Sequence, residues 1–185
     1  MQCPGQRRLV PGRGRRRRRL AQRQVLPFQG MTASISLALL FGALLAGQAA
    51  AADLPAAADL RSEAASAARS GQPLVVLYSR SDCRYCESVR KDYLHPLQTS
   101  AAHRGVVVRQ INQDSDRPLR GFQGQSVTHA GFAAGEKIRL VPVVAFYGPD
   151  GRQLAPPIVG ARIADYYQSY LDEALEQSAQ ALRRR

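Results

Sequence analysis

The chain is short of cysteine, with three in 185 residues, and a disulfide-built scaffold is thereby excluded. It lacks any apolar run of the kind a multi-span membrane protein shows, and it has no internal repeat. A Gly-rich nucleotide loop and a Ser nucleophile elbow are also missing. Acidic residues are absent before Asp53, whereas nine of the 26 Lys and Arg lie there (positions 7, 8, 13, 15–19 and 23). The formal charge of +12 therefore belongs mostly to the leader, because from Asp53 onward 17 bases face 14 acids, +3 net. A basic nucleic-acid surface on the remaining 133 residues loses its support, and no nucleic-acid partner is expected. What is plentiful is apolar. Hydrophobic residues at 45% exclude a wholly disordered chain, and 133 residues suffice to bury a core.

Residues 1–52 read as a targeting segment. The Arg-rich stretch is followed by twelve uncharged residues, Ile35–Ala46 (ISLALLFGALLA), and then by the small residues of Gly47–Ala52. That is the layout of a secretory signal, with cleavage expected after Ala52 or an alanine or two earlier. The destination is then an oxidising, extracytoplasmic compartment. An uncleaved signal would anchor the chain, although residues 35–52 are barely long enough to span. An organelle transit peptide and an arginine tail for phosphates are the other readings. Met31 offers a second start, but no Lys or Arg then precedes the apolar run. No cysteine follows that run, which excludes lipoprotein attachment there.

Beyond the leader, helices and strands alternate. Ala56–Ser70 predicts a helix stopped by Gly71 and Pro73. Leu74–Ser79 (LVVLYS) is a nearly all-apolar run, as for a strand buried on both faces. Cys86, Val89 and Tyr93 form a helical stripe over residues 83–94, with Pro96 marking its end. Val106–Ile111 supplies the second strand of a βαβ unit. Asn112–Gln125 reads as a polar loop, and Ser126 as the cap of a short helix running to about Arg139. Val143–Tyr147 is a third strand. The turn Gly148-Pro-Asp-Gly151 returns residues 152–159 as an edge strand, where Pro156 and Pro157 are tolerated. From Arg162 onward, Ile163, Tyr166, Tyr167, Tyr170, Leu171, Ala174 and Leu175 trace the apolar face of a closing helix.

The chemistry sits in Ser81-Asp-Cys-Arg-Tyr-Cys86, where a buried strand ends and a helix begins. A cysteine at a helix start faces backbone N–H groups and the positive end of the dipole, which favour thiolate over thiol. Arg80 and Arg84 add positive charge, and Asp82 opposes it. Cys86 falls on the inward stripe. One exposed nucleophile and one shielded partner three residues on suit thiol–disulfide exchange: Cys83 attacks and Cys86 resolves. Three plainer uses of the pair remain open. Half a zinc site would need ligands from His95, His103 and His129, none at ligand spacing. A static disulfide and a thiol-based copper carrier or chaperone module are the others.

The segments LVVLYSRSDCRYC, Leu140-Val-Pro-Val-Val144, FYGPDGR and Val159-Gly160 resemble the thioredoxin-fold superfamily, over roughly Gln72–Leu175. Within it the chain is most similar to secreted bacterial thioredoxin-like proteins with a C-x-x-C site. The resemblance implies an α/β fold, with a four-stranded mixed sheet in the order 106–111, 74–79, 143–147, 152–159 and helices on both faces. It implies that Pro142 is a cis-proline that positions substrate opposite the pair. Val141, Arg84 and Tyr85 are then substrate-binding residues. No bound cofactor is implied, because the Cys83–Cys86 disulfide is itself the redox centre, and no metal. The implied partners are protein thiol or disulfide substrates and a membrane or periplasmic protein that resets the pair, which places the protein in the periplasm. Residues 53–71 form an N-terminal helical extension and residues 72–182 the domain. The chain departs from thioredoxin proper in three places: Asp82 stands where tryptophan precedes the first cysteine, Leu77 replaces the buried acid, and Arg-Tyr separates the cysteines.

The remaining candidates have structural readings. His95 is expected at a helix terminus, near carbonyls. His129, on the short helix ahead of Pro142, is the one histidine weighed for the site. Phe122, Phe132 and the tyrosines of the last helix are assigned to the core. Arg183–Arg185 is a solvated helix end.

Overall fold

A computed structural model describes residues 53–161 and 164–184; the predicted leader, Ile163 and Arg185 lie outside them. The uncharged run Leu74–Ser79 forms strand β1, and all six of its residues are buried. Strand β2 (Val107–Asn112) runs parallel to it, with Leu74 opposite Val107 and Ser79 opposite Asn112. Strand β5 (Val143–Tyr147) lies antiparallel on the other side of β1, and β6 (Gln153–Val159) antiparallel to β5. The order is β2-β1-β5-β6, as expected. Two prolines in β6 suit an edge strand, since neither has an N–H to offer a ladder. Gly151 closes the β5–β6 turn at φ 79°, and a Cβ there would stand 2.6 Å from Phe122 Cγ. Only glycine fits.

Side chains alternate across the sheet with period two. Val75, Leu77, Val144 and Phe146 enter one apolar cluster, with Val89, Leu94, Leu97, Tyr167, Leu171 and Leu175. Leu74, Val76, Tyr78, Ala145 and Tyr147 enter the other, with Leu60, Ala64, Phe122, Phe132 and Ala133.

Several boundaries differ from the sequence expectation. Helix α1 spans Leu60–Arg69, not Ala56–Ser70: Asp59 caps it by accepting from the Ser62 N–H at 3.0 Å. The preceding residues are occupied elsewhere, since Gln110 N–H donates to Pro55 O and Ala57 N–H to Gln110 O, both at 2.9 Å along the open edge of β2. Pro96 does not end its helix. Helix α2 (Arg84–Val89) passes into a π-wound turn, Arg90–Leu94, and then into α3 (His95–Thr99). Pro96 has no N–H to give the ladder, and the π-wound turn lies immediately ahead of it. The expected polar loop holds a small hairpin, β3 (Pro118–Arg120) against β4 (Ser126–Thr128). Ser126 is therefore in a strand, and Thr128 caps the short helix α4 (His129–Gly135) by accepting from the Gly131 N–H at 3.0 Å. In α5 (Ala164–Arg183), Tyr167, Leu171, Ala174 and Leu175 are buried as predicted. Tyr166 and Tyr170 are not core: four residues apart, they share one helix face and are 61% and 45% exposed, whereas Tyr167 lies on the buried face with Leu171 and Leu175. Among the described residues, no helix is long and apolar enough to cross a membrane.

Candidate active site

The C-terminal end of β1 feeds the loop 80–82, and Cys83 is the N-cap of α2 with extended backbone (φ −99°, ψ 93°). Cys83 and Cys86 are joined by a disulfide, and Cys86 N–H donates to Cys83 Sγ at 3.1 Å. The two sulfurs differ in access: Cys83, expected to be exposed, is half-buried, and Cys86 is fully buried. An N-cap sulfur that already accepts a backbone N–H is placed to carry negative charge when the bond is reduced.

The charges around the pair are arranged more tightly than their order in the chain shows. Arg80 makes a two-bond fork with Asp82, Nε to Oδ1 at 2.6 Å and Nη2 to Oδ2 at 2.9 Å. That guanidinium holds the Asp82 carboxyl below its ordinary value. Arg80 is thus neutralised, and Arg84 is the cation left beside Cys83. Arg84 stacks over the Tyr85 ring at 5.3 Å, and both residues are exposed between the cysteines.

Tyr78 of β1 lies opposite Val143 of β5, so the exit toward Cys83 and the entry at Pro142 share one end of the sheet. The Val141–Pro142 bond is cis. Pro142 is buried, Val141 half-buried, and Gly160 N–H donates to Pro142 O at 2.8 Å. Leu140 and Val159, on either side of this entry, are 70% and 60% exposed, and Tyr85 is 58% exposed. Three large apolar side chains in water thus flank the pair and the proline.

The histidines do other work. His129 is 2% exposed, with Nδ1 accepting from Asn112 N–H at 3.2 Å and Nε2 at 2.9 Å from Ala57 O. Both ring nitrogens are engaged, holding the N-terminal segment against β2, so neither is left for the redox pair. His95 is inside the helical rod and not at its terminus, because the helix continues to Thr99. His103 faces Asp172 at 3.8 Å. Among the described residues, no three His, Cys, Asp or Glu side chains gather as metal ligands would.

Two groupings escaped the sequence reading. Ser81 donates both its N–H (3.0 Å) and its hydroxyl (2.5 Å) to Asp114 Oδ2, which pins the loop before Cys83 to the end of β2 and holds the Asp114 carboxyl below its ordinary value. Arg90, four residues after Cys86 and only 8% exposed, donates from Nε to Gln110 Oε1 at 2.9 Å. It also pairs with Glu87 and, at 3.4 Å, with Asp53. Its place one turn past Cys86 on the buried stripe was the available signal. At Leu77, where thioredoxin proper keeps an acid, the side chain is fully buried among apolar neighbours.

A C-x-x-C disulfide opening a helix after a buried strand, on a mixed sheet flanked by helices, defines a thioredoxin-fold protein with a redox-type cysteine pair. The family model described as "Thioredoxin-like domain" matches residues 60–175, well over half of the chain, and the chain belongs to that family. Such a domain with such a pair supports thiol–disulfide oxidoreductase activity in general. Solved structures of similar fold include a thioredoxin-fold protein from Helicobacter pylori (12% identity, 60% of this chain and 73% of that one, TM-score 0.47). Mitochondrial thioredoxin 3 from Saccharomyces cerevisiae is another (15%, 66% and 93%, TM-score 0.45). The periplasmic thioredoxin SoxS from Paracoccus pantotrophus is a third (12%, 57% and 98%, TM-score 0.41). No curated protein matches the chain.

Proposed function

We propose that the protein exchanges disulfides with protein substrates in the periplasm. The unequal access of the two sulfurs carries this reading: Cys83 is half-buried at a helix cap and Cys86 lies fully buried behind it. In the reducing direction the Cys83 thiolate attacks one sulfur of a substrate disulfide, forming a mixed disulfide and releasing the other sulfur as thiolate. Cys86, as thiolate, then attacks Cys83 Sγ and expels the second substrate thiolate. Two electrons pass to the substrate, two protons from solvent complete its thiols, and the pair ends as a disulfide. The reverse sequence oxidises a dithiol. A membrane or periplasmic thiol partner resets the pair, and no bound cofactor enters either direction.

Val141 would offer its backbone N–H and C=O to an extended substrate segment, with Pro142 setting the direction of that backbone. Arg84 and Tyr85, exposed between the cysteines, would touch the same segment, and Leu140 and Val159 would give it an apolar footing. The apolar block and alanines of residues 35–52 support export.

The test is trapping in the native host. Cys86→Ala leaves Cys83 unable to be resolved, so mixed disulfides with substrates should accumulate in the periplasmic fraction, and Cys83→Ala should form none. Limited alkylation of the reduced protein should label Cys83 before Cys86. Equal labelling with no trapped species would overturn the assignment of roles; trapped species confined to the cytoplasm would overturn the compartment.

A further inference from the structure

An open cleft of about 400 Å³ lies against the loop that leads into Cys83, bounded by Arg80, Ser81 and Asp82 of that loop, by Asp114 at the end of β2, and by Ala133 and Ile138 on the α4 side. Its volume is within the range of ligand clefts, about 300–1,000 Å³. We infer that this cleft receives a cationic side chain, Lys or Arg, that flanks the reactive cysteine of a protein substrate, with Asp114 as its counter-charge. The inference deepens the oxidoreductase reading and rests on it.

Three charged residues line the cleft. Arg80 and Asp82 are joined through two bonds, so their charges offset each other in the lining. Asp114 is the remainder, and it gives the lining a net charge of −1. Its carboxylate has about four lone-pair sites, of which the two Ser81 bonds use two. The same bonds, and secondarily the Arg80 charge, keep it ionised. The group is therefore held in place, charged and still able to accept. The wall opposite is alanine and isoleucine, which suits the aliphatic stem of Lys or Arg while the head group reaches the carboxylate. Because Asp82 is the residue before Cys83, a side chain in the cleft belongs to a substrate residue close to the exchanging sulfur.

The test uses the reduced, full-length protein and three disulfide-linked peptide dimers that differ only in the residue beside the cysteine: Lys, Gln or Glu. Rates of disulfide reduction should fall in that order, with Lys over Glu by about threefold or more at low salt, as an exposed charge pair gives. The ratio should shrink at high ionic strength. Asp114→Asn, which keeps an acceptor for Ser81, should bring the three rates to near parity, and Asp114→Lys should reverse their order. Glu176→Gln, the same loss of charge on an exposed part of α5, should keep the wild-type ratio. Ser81→Ala, which frees the loop but leaves the carboxylate, should also keep a preference for Lys. A purely structural Asp114 would make Ser81→Ala and Asp114→Asn behave alike. Equal wild-type rates, or an unchanged ratio in Asp114→Asn, would overturn the inference while the oxidoreductase reading stands. No exchange with any peptide, the Gln peptide included, would overturn both.

Discussion

On the sheet face under α2, α3 and α5, the strands of the centre present Val75, Leu77, Val144 and Phe146, and the polar groups buried there include a cation, Arg90, besides Gln110, the Tyr167 phenol and Ser178 of α5. On the face under α1 and α4, the same two strands present Tyr78 and Tyr147, and the buried polar groups are neutral: two phenols and His129. The two faces meet the cost of polar burial differently. A permanent cation needs carboxylates within reach, so Arg90 is set at the rim, where Glu87 and Asp53 are still more than half exposed. Neutral groups need only one partner for each donor, so they can lie deeper. Tyr147 O–H donates to Glu136 Oε2 at 3.0 Å, which leaves the Tyr78 O–H to donate to Tyr147 at 2.7 Å. Burial pushes both phenols above their ordinary value. The redox helix rides on the face that carries Arg90, and Leu77 packs there among apolar side chains.

The strongest way to break that contrast is to put an acid among the apolar side chains of the face that carries Arg90. Leu77→Asp should cost at least about 3 kcal/mol, from a lost core side chain and a carboxyl with no partner. The loss should be larger at pH 8 than at pH 5, because the buried acid is tolerated only when protonated. Urea midpoints at the two pH values measure it. A Leu77→Asp protein as stable as wild type at pH 8 would show that this face holds a polar partner the apolar cluster does not suggest.

Within the neutral face the two phenols should be unequal. Tyr78→Phe removes one donor and leaves Tyr147 bonded to Glu136, a loss of about 1 kcal/mol. Tyr147→Phe strands the deeper Tyr78 hydroxyl without a partner, about 1–3 kcal/mol. The double variant should cost less than the sum, because the stranded hydroxyl is then gone. Equal single losses with full additivity would mean that the chain of donors is not a unit.

Much of this architecture was readable in the sequence. The runs at 74–79 and 143–147 are apolar with little or no interruption, as buried central strands are. The strand-to-helix entry of Cys83 and Cys86 located the site, and the spacing of Cys86 from Val89 and Tyr93 turned it inward. What escaped joins residues far apart in the chain. Ser81 and Asp114 are 33 positions apart, and Arg90 and Gln110 are 20. Each is an ordinary polar residue in its own segment. Strands of three residues, as in β3 and β4, are too short to show a period. Residues 55–57 form no periodic element either, because their hydrogen bonds go to β2 and not to one another. The π-wound turn hid the same way: Pro96 reads as a terminator unless the turn ahead of it is known to be wound differently.

The mildest test of the neutral face is acid. His129 is held in its neutral form, with Nδ1 accepting from Asn112 N–H and Nε2–H donating to Ala57 O. Burial lowers its pKa first of all; the Ala57 carbonyl and the Glu63 charge pull it up, and the Arg117 charge pushes it further down. The folded pKa lies below the unfolded value of about 6.5. As pH falls through 6.5 the unfolded chain takes up a proton that the folded chain refuses, so stability is lost on the acid side and none is lost above pH 7. One proton bounds the slope at about 1.4 kcal/mol per pH unit. Between pH 7 and 5.5 the wild-type protein should therefore lose at most about 1.4 kcal/mol through this group. His129→Gln, which has both an acceptor and a donor but no charge to gain, should lack that component, although it starts less stable. Arg90 cannot deprotonate in this range, so an Arg90→Met variant should keep the wild-type histidine slope. If His129→Gln shows the same acid slope as wild type, the proton taken up belongs to another group, and the division between a charged and a neutral face loses its titrating marker.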